Sequence, residues 1–236
     1  VKRGEPAQIV VHNRLSTPIA VHWHGIELES YSDGDAGWSG STNHIAPLMA
    51  PGDSFVARMT PPRAGTFIYH VHGGHGDQLV SGLYGPLVVL EPGRTFDPLA
   101  DLLFVLSEPG PGSRLGDEKA PFVNGSASPS PVEMLAGRTY RLRFIGIPAN
   151  DAYWTRLVSA SGLQQWRLIA RDGADVPADL AELQPARFLA WAGITRDFEF
   201  TPTEPGELSL ELNVGNVIAG RLSGRITRVP IHVRER

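Results

Sequence analysis

A chain of 236 residues, 42% hydrophobic and 19% charged with a formal net charge of −4, has the size and composition of one or two globular domains. The mild acidity and the lack of a basic stripe argue against nucleic acid as a partner, and no run of about 18 apolar residues is present to span a membrane. The absence of cysteine excludes disulfides, zinc–thiolate sites, thiol catalysis and any copper site that needs a thiolate.

With 26 Gly and 20 Pro, the chain reads as many short strands joined by turns. Gly4–Asn13 is a turn and then a strand, with Ile9, Val11 and Asn13 on one face and Val10 and His12 on the other. Ser16-Thr17-Pro18 turns the chain into Ile19–His24. Residues 30–46 form a long polar, Gly-rich loop that contains Trp38 and His44. After the Pro51-Gly52-Asp53 turn, Ser54–Thr60 alternates as a strand with Phe55, Ala57 and Met59 facing one way. Pro61–Gly65 turns again into Thr66–His72, and Pro86–Leu90 is an apolar strand closed by Glu91-Pro92-Gly93. Strands at this spacing with no long helix predict a β-sandwich.

The second half echoes the first. Gly52-x₇-Thr60-Pro61-x₃-Gly65 recurs 141 residues later as Gly193-x₇-Thr201-Pro202-x₃-Gly206. Gly4 and its strand are echoed at Gly137–Phe144, and Pro86–Val89 at Val229–Val233. Three echoes in one order predict two copies of one fold, residues 1–95 and 96–236, with a boundary near Pro92–Pro98. Phe122-Val123-Asn124-Gly125 precedes Gly137, whereas only three residues precede Gly4, so the first copy is expected to lack an opening strand. The start at Val1, without an initiator Met or a visible signal peptide, fits a processed or excised piece.

The chemistry concentrates in two tripeptides. His22-Trp23-His24 and His70-Val71-His72 each place two imidazoles on one face of a strand, because side chains two apart point the same way. Four of the eight histidines sit in these pairs. Neutral imidazole suits copper, zinc, iron and nickel. Trp23 falls on the opposite face and reads as core, as does Tyr69. In the second copy His70 falls on Glu211 and His72 on Asn213, so the metal belongs to residues 1–95 and the second copy reads as a structural or interface module.

His-Trp-His-Gly, then Tyr-His-x-His, then Gly-Leu-Tyr-Gly-Pro-Leu-Val-Val resembles the laccase-like multicopper oxidases, built from cupredoxin domains. The resemblance is close over residues 4–93. Over 120–236 it is weaker, similar to the copper-free middle domain of those enzymes. It implies an all-β fold of two tandem cupredoxin-like Greek-key sandwiches. It also implies half of the eight histidines of a three-copper cluster that reduces dioxygen to water. By position, His22 would ligate the type 2 copper, His24 and His70 one type 3 copper, and His72 the other. Asp33, before Gly34, resembles the carboxylate that helps deliver protons there, and is otherwise an ordinary turn aspartate.

The departures from the family pattern matter as much. The His-Pro-x-His-x-His and His-Cys-His segments that complete such clusters do not occur, and without cysteine this chain cannot hold a type 1 copper. Completion is therefore expected from a further cupredoxin domain, chain or subunit, with phenols, aromatic amines or low-valent metal ions as reductants. Secretion or a periplasmic location follows from the resemblance. The alternatives are a copper-binding or carrier module without turnover, and a structural pair whose histidines are vestigial or bind zinc adventitiously. Outside the pairs, His75 is read as a loop residue or an added ligand, His12 as surface, His44 as surface or as a support behind the ligands, and His232, on a terminal strand, as without function. Arg221, Arg225, Arg228, Arg234 and Arg236 are read as a solvated face, the alternative being a docking surface for a missing domain.

Overall fold

The computed structural model describes residues 1–73, 76–110, 120–216 and 221–235. His75 and Arg236 lie outside the described residues. The chain divides into two compact units, Val1–Thr95 with Asp172–Ala174, and Phe96–Arg171 with Asp175–Arg236. The fold is almost entirely β, two sheet-built units in succession.

The first unit contains strands β1 (Ala7–His12), β2 (Ala20–His24), β3 (Gly40–Ser41), β4 (His44–Ile45), β5 (Ser54–Met59), β6 (Gly65–His72) and β7 (Tyr84–Val89), with two short helices, α1 (Ser30–Asp33) and α2 (Gly76–Val80). β1 and β5 form one antiparallel sheet; β2, β6 and β7 form another, in the order β2-β6-β7. Period-two alternation turns one face of each sheet inward. From β5 come Phe55, Ala57 and Met59, and from the other sheet Trp23, Phe67, Val71, Leu87 and Val89, all buried in one core. This is two sheets packed face to face over a shared apolar layer. The stretch 30–46 is more than a loop. It holds α1, whose Glu29 carbonyl accepts from the Ser32 amide, and the small β3–β4 pair. Alternation could not reveal either, because one helical turn and two-residue strands are shorter than any period.

The second unit contains β8 (Asp101–Ser107), β9 (Phe122–Val123), β10 (Val132–Leu135), β11 (Tyr140–Gly146), β12 (Ala152–Ser159), β13 (Gly162–Leu163), β14 (Gln165–Arg171), β15 (Ala174–Asp175, of which Ala174 groups with the first unit), β16 (Leu183–Pro185), β17 (Arg187–Ala190), β18 (Thr195–Phe200), β19 (Gly206–Asn216) and β20 (Arg221–Arg234). One sheet runs β10-β20-β19-β12-β13, with β17 on β12; the other runs β15-β14-β18-β11-β8-β9, with β16 on β14. Between them lies an aromatic core in which Trp166 stacks on Phe198 with ring centroids 4.0 Å apart and Phe144 touches both.

The two units share strand registers. Ala7 opposes Met59 across β1–β5, and Tyr140 opposes Phe200 across β11–β18. His22 opposes His70 and His70 opposes Tyr84; likewise Arg156 opposes Glu211 and Glu211 opposes Arg228. The Gly4 amide donates to the Pro61 carbonyl at 2.8 Å, as the Gly137 amide does to Pro202 at 2.8 Å. The counterparts of His22, His24, His70 and His72 are therefore Arg156, Val158, Glu211 and Asn213. In place of imidazoles stands an ion-pair triad, with Glu211 held by Arg156 at 2.7 Å and Arg228 at 2.9 Å. Arg228 and Arg234 are exposed, in keeping with a solvated face, and each pairs there with a carboxylate, Arg234 with Glu133 at 2.6 Å. Their partners lie on neighbouring strands, which sequence spacing does not reveal.

Candidate metal centre

β2 and β6 run antiparallel with His22 directly opposite His70. His24 lies diagonally from His70, and His72 diagonally from His22, on the face away from the core. Residues opposed across an antiparallel pair are about 5 Å apart and diagonal neighbours 7–8 Å, so long side chains from all four positions meet. The ring centroids of His22 lie 5.5, 5.4 and 5.4 Å from those of His24, His70 and His72. The tightest set is His22, His24 and His70, whose ligand nitrogens all lie within 4.8 Å of one another.

A ring nitrogen that donates to an oxygen fixes the tautomer and leaves the other nitrogen's lone pair for a metal. Three of the four rings are held in this way. His70 Nδ1 donates to the Val71 carbonyl at 2.8 Å, which leaves Nε2 facing His24 Nδ1 at 3.5 Å. His22 Nδ1 lies 3.2 Å from both the backbone carbonyl and Oδ2 of Asp33. His72 Nδ1 lies 2.7 Å from Asp35 Oδ1. Hydrogen positions follow here from the oxygens, which can only accept.

The loop after α1 sets both carboxylates. Gly34 has φ +83° and packs so closely on the Val21 carbonyl that a side chain would collide with it. This close approach brings Asp33 alongside β2. Ser39, buried, donates its hydroxyl to Asp33 Oδ2 at 2.8 Å and accepts from the Asp35 amide at 3.1 Å. The sequence reading singled out Asp33 and passed over Asp35 and Ser39. The available signal was Asp33-Gly34-Asp35 itself, two carboxylates on either side of a glycine turn. Of the other histidines, His44 is exposed and stacks on Tyr31 with centroids 3.8 Å apart. His12 bonds Ser54 Oγ at 2.6 Å, and His232 pairs with Glu207 at 2.6 Å.

Burial lowers the His70 imidazole from 6.5 to about 4. The Val71 carbonyl opposes that shift, and positive charge on His22, His24 or His72 adds to it. His70 is thus neutral and ligand-ready at any ordinary pH. The unfolded chain takes up this proton near 6.5 and the folded chain only near 4, so the unfolded state binds more protons in between. We expect the thermal midpoint of the metal-free chain to fall as pH drops through that window, with no His70 contribution above it. In His70→Gln that part of the slope should vanish, and an unchanged slope would show that the proton is taken up elsewhere.

A stretch of the chain, residues 1–94, matches the family profile described as Multicopper oxidase. Over those residues the chain is similar to the multicopper oxidases. Among curated relatives, the copper resistance protein A homolog of Pseudomonas syringae pv. tomato is 38% identical over 88 residues, which are 37% of this chain and 14% of that protein. Multicopper oxidase MmcO of Mycobacterium tuberculosis is 35% identical over 106 residues, 44% of this chain and 19% of that protein. The chain thus aligns with under a fifth of the length of either relative. Over the whole chain, the crystal structure of a multi-copper oxidase from Pseudomonas thermotolerans superposes with TM-score 0.73 and 25% identity, covering 100% of this chain and 55% of that one. For such a family the cofactor is copper, and a cluster of imidazoles with fixed tautomers fits it.

Proposed function

We propose that this chain is the portion of a laccase-like multicopper oxidase that supplies half the histidines of a trinuclear copper cluster. The carrying observation is the convergence of His22, His24, His70 and His72 on one face of β2 and β6, with His22 and His70 opposed. In this reading His22 serves the type 2 copper, His24 and His70 one type 3 copper and His72 the other. Bound copper supplies the electron-transfer steps for reducing dioxygen, since it cycles between two oxidation states and zinc does not. The protein's own part is to hold the rings. Asp33 orients His22, Asp35 orients His72, and the Val71 carbonyl orients His70. Asp33, partly exposed and beside the His22 ring, is the group that would pass protons toward the oxygen site.

The remaining four histidines, and the thiolate through which a phenol, aromatic amine or low-valent metal ion delivers electrons, come from a further cupredoxin domain, chain or subunit. This chain has no cysteine for that role. A periplasmic or extracellular setting suits such an oxidase. Among the described residues no helix is long and apolar enough to cross a membrane.

Copper per chain, measured after dialysis on material of known mass in solution, tests the proposal. We expect retained Cu(II) whose electron paramagnetic resonance spectrum carries imidazole nitrogen splittings. We also expect no dioxygen uptake with a phenolic reductant until a cysteine-bearing cupredoxin domain is added. Rapid dioxygen reduction by this chain alone, or a copper signal lacking nitrogen ligands, would overturn it.

A further inference from the structure

Between α1 and β5 the chain of the first unit folds back on itself around one serine. Ser39 is 6% exposed, and each of its polar groups is engaged. Its amide donates to the Asp35 carbonyl at 2.8 Å, and its carbonyl accepts from the Ala46 amide at 2.7 Å. Its hydroxyl lies between Asp33 and Asp35. The Asp35 amide, 3.1 Å away, can only donate, so Oγ accepts there. The one hydroxyl proton is left for Asp33 Oδ2, at 2.8 Å.

That carboxylate oxygen is the one His22 Nδ1 meets at 3.2 Å. Ser39 therefore holds an acceptor that fixes the His22 ring. It also grips Asp35 at both ends of its backbone, the amide through Oγ and the carbonyl through its own amide. The Asp35 side chain, so anchored, meets His72 Nδ1 through Oδ1 at 2.7 Å. His70 is supported differently, by the carbonyl of Val71 beside it on β6. His22 and His72 stand on different strands, and both are steadied from one loop. A carboxylate on a loop must lose rotamer freedom before it can orient a ring. A buried hydroxyl with both of its bonds made takes that freedom from the Asp33 side chain and the Asp35 backbone together.

We propose that Ser39 is the positioning residue that sets His22 and His72 jointly, through Asp33 and Asp35, keeping both rings protonated at Nδ1 with Nε2 available to a metal. In the copper reading given above, a ligand of the type 2 copper and a ligand of one type 3 copper then depend on the same serine, whereas His70 does not. The consequence for copper rests on that reading; the tautomers of the rings do not.

The test therefore begins without metal. In the 236-residue chain, with its histidine ring nitrogens isotope-labelled and held at about pH 8, where imidazole is ordinarily neutral, the nitrogen NMR shifts report the tautomers directly. We expect His22, His70 and His72 to be protonated at Nδ1 in the wild type. In Ser39→Ala, His22 and His72 should both shift toward the Nε2-protonated form that free histidine prefers. His72 should shift more, because His22 Nδ1 keeps the Asp33 carbonyl at 3.2 Å. His70 should stay as it is. Exchange of the Asp35 amide should quicken on the order of tenfold, and Ser39→Thr, which retains the hydroxyl, should restore the wild-type tautomers. Copper affinity should fall in Ser39→Ala by less than the roughly 10–100-fold lost with a ligand's direct partner, and should recover in Ser39→Thr. Unmoved tautomers at His22 and His72, a change at only one of them, or an equal change at His70 would overturn the proposal, the last because it would mark a general loosening of the sheet. Should Ser39→Ala fail to fold, Ser39→Cys, close to serine in shape but a weak donor, puts the same question. A wild-type chain that retains no copper would sink the copper reading, with the tautomers still deciding the role of Ser39.

Discussion

Specific copper binding should be lost in the double variant His22→Ala/His70→Ala. These two rings oppose each other in register, and both belong to the tightest ligand set, so their removal leaves His24 as its one member. His24 and His72 remain on different strands, offset in opposite directions from the opposed pair. They cannot replace it without moving backbone. Neither deleted ring belongs to the apolar core, so the variant should unfold near the wild-type temperature, and the loss can be read as loss of ligands. The fall in affinity should exceed the roughly 10–100-fold that follows when a ligand loses only its hydrogen-bonding partner. Asp33→Asn or Asp35→Asn provides that smaller effect as a comparison. Copper titration with the electron paramagnetic resonance signal as readout would decide the matter. Unchanged affinity in the double variant would place the metal elsewhere in the chain.

How much of this was legible in the sequence depends on the range of the interaction. Two histidines separated by one residue declare a shared strand face, because the strand repeat is two residues. The alternation of Phe55, Ala57 and Met59 declared the inward face of β5 in the same way. Cross-strand register is a different kind of fact. That His22 opposes His70 follows from turns and packing between residues 24 and 65, and nothing at either histidine announces it. Asp35 was missed for the same reason: its partner His72 lies 37 positions away, and only the close approach of Gly34 to Val21 brings them together. The arginines of the second unit illustrate the limit from the other side. Counted along the chain they look like a solvated run, and Arg228 is exposed, but that Arg228 and Arg156 clamp Glu211 across neighbouring strands is not written in the spacing. The internal repeat recovers part of what spacing hides. Once Glu211 is matched to His70, the second unit stands as the same sheet with its ligands exchanged for an ion-pair triad.

Truncating the residue between the first two ligands should be as costly to the fold as removing ligands is to the metal. Trp23 is 3% exposed and packs in the first unit's core, its ring 5.6 Å from that of Tyr69 across β2–β6. We expect Trp23→Ala to lower stability by about 3–5 kcal/mol, the usual cost of deleting a buried aromatic side chain and leaving a cavity. The indole Nε1 is buried with no hydrogen-bond partner among the described residues. The contribution is therefore one of packing, and Trp23→Phe, which keeps an aromatic ring and forfeits no hydrogen bond, should cost markedly less. Denaturant unfolding of the metal-free protein measures both. The effect should reach the other face of the strand, because the backbone that Trp23 anchors is the backbone that aims His22 and His24. In Trp23→Ala the folded protein should still take up copper, but more weakly than wild type, whereas Trp23→Phe should bind normally. A neutral Trp23→Ala would mean that the ring is not part of the core. Full copper affinity despite a large loss of stability would mean that the ligand strand is held by its hydrogen bonds to β6 alone.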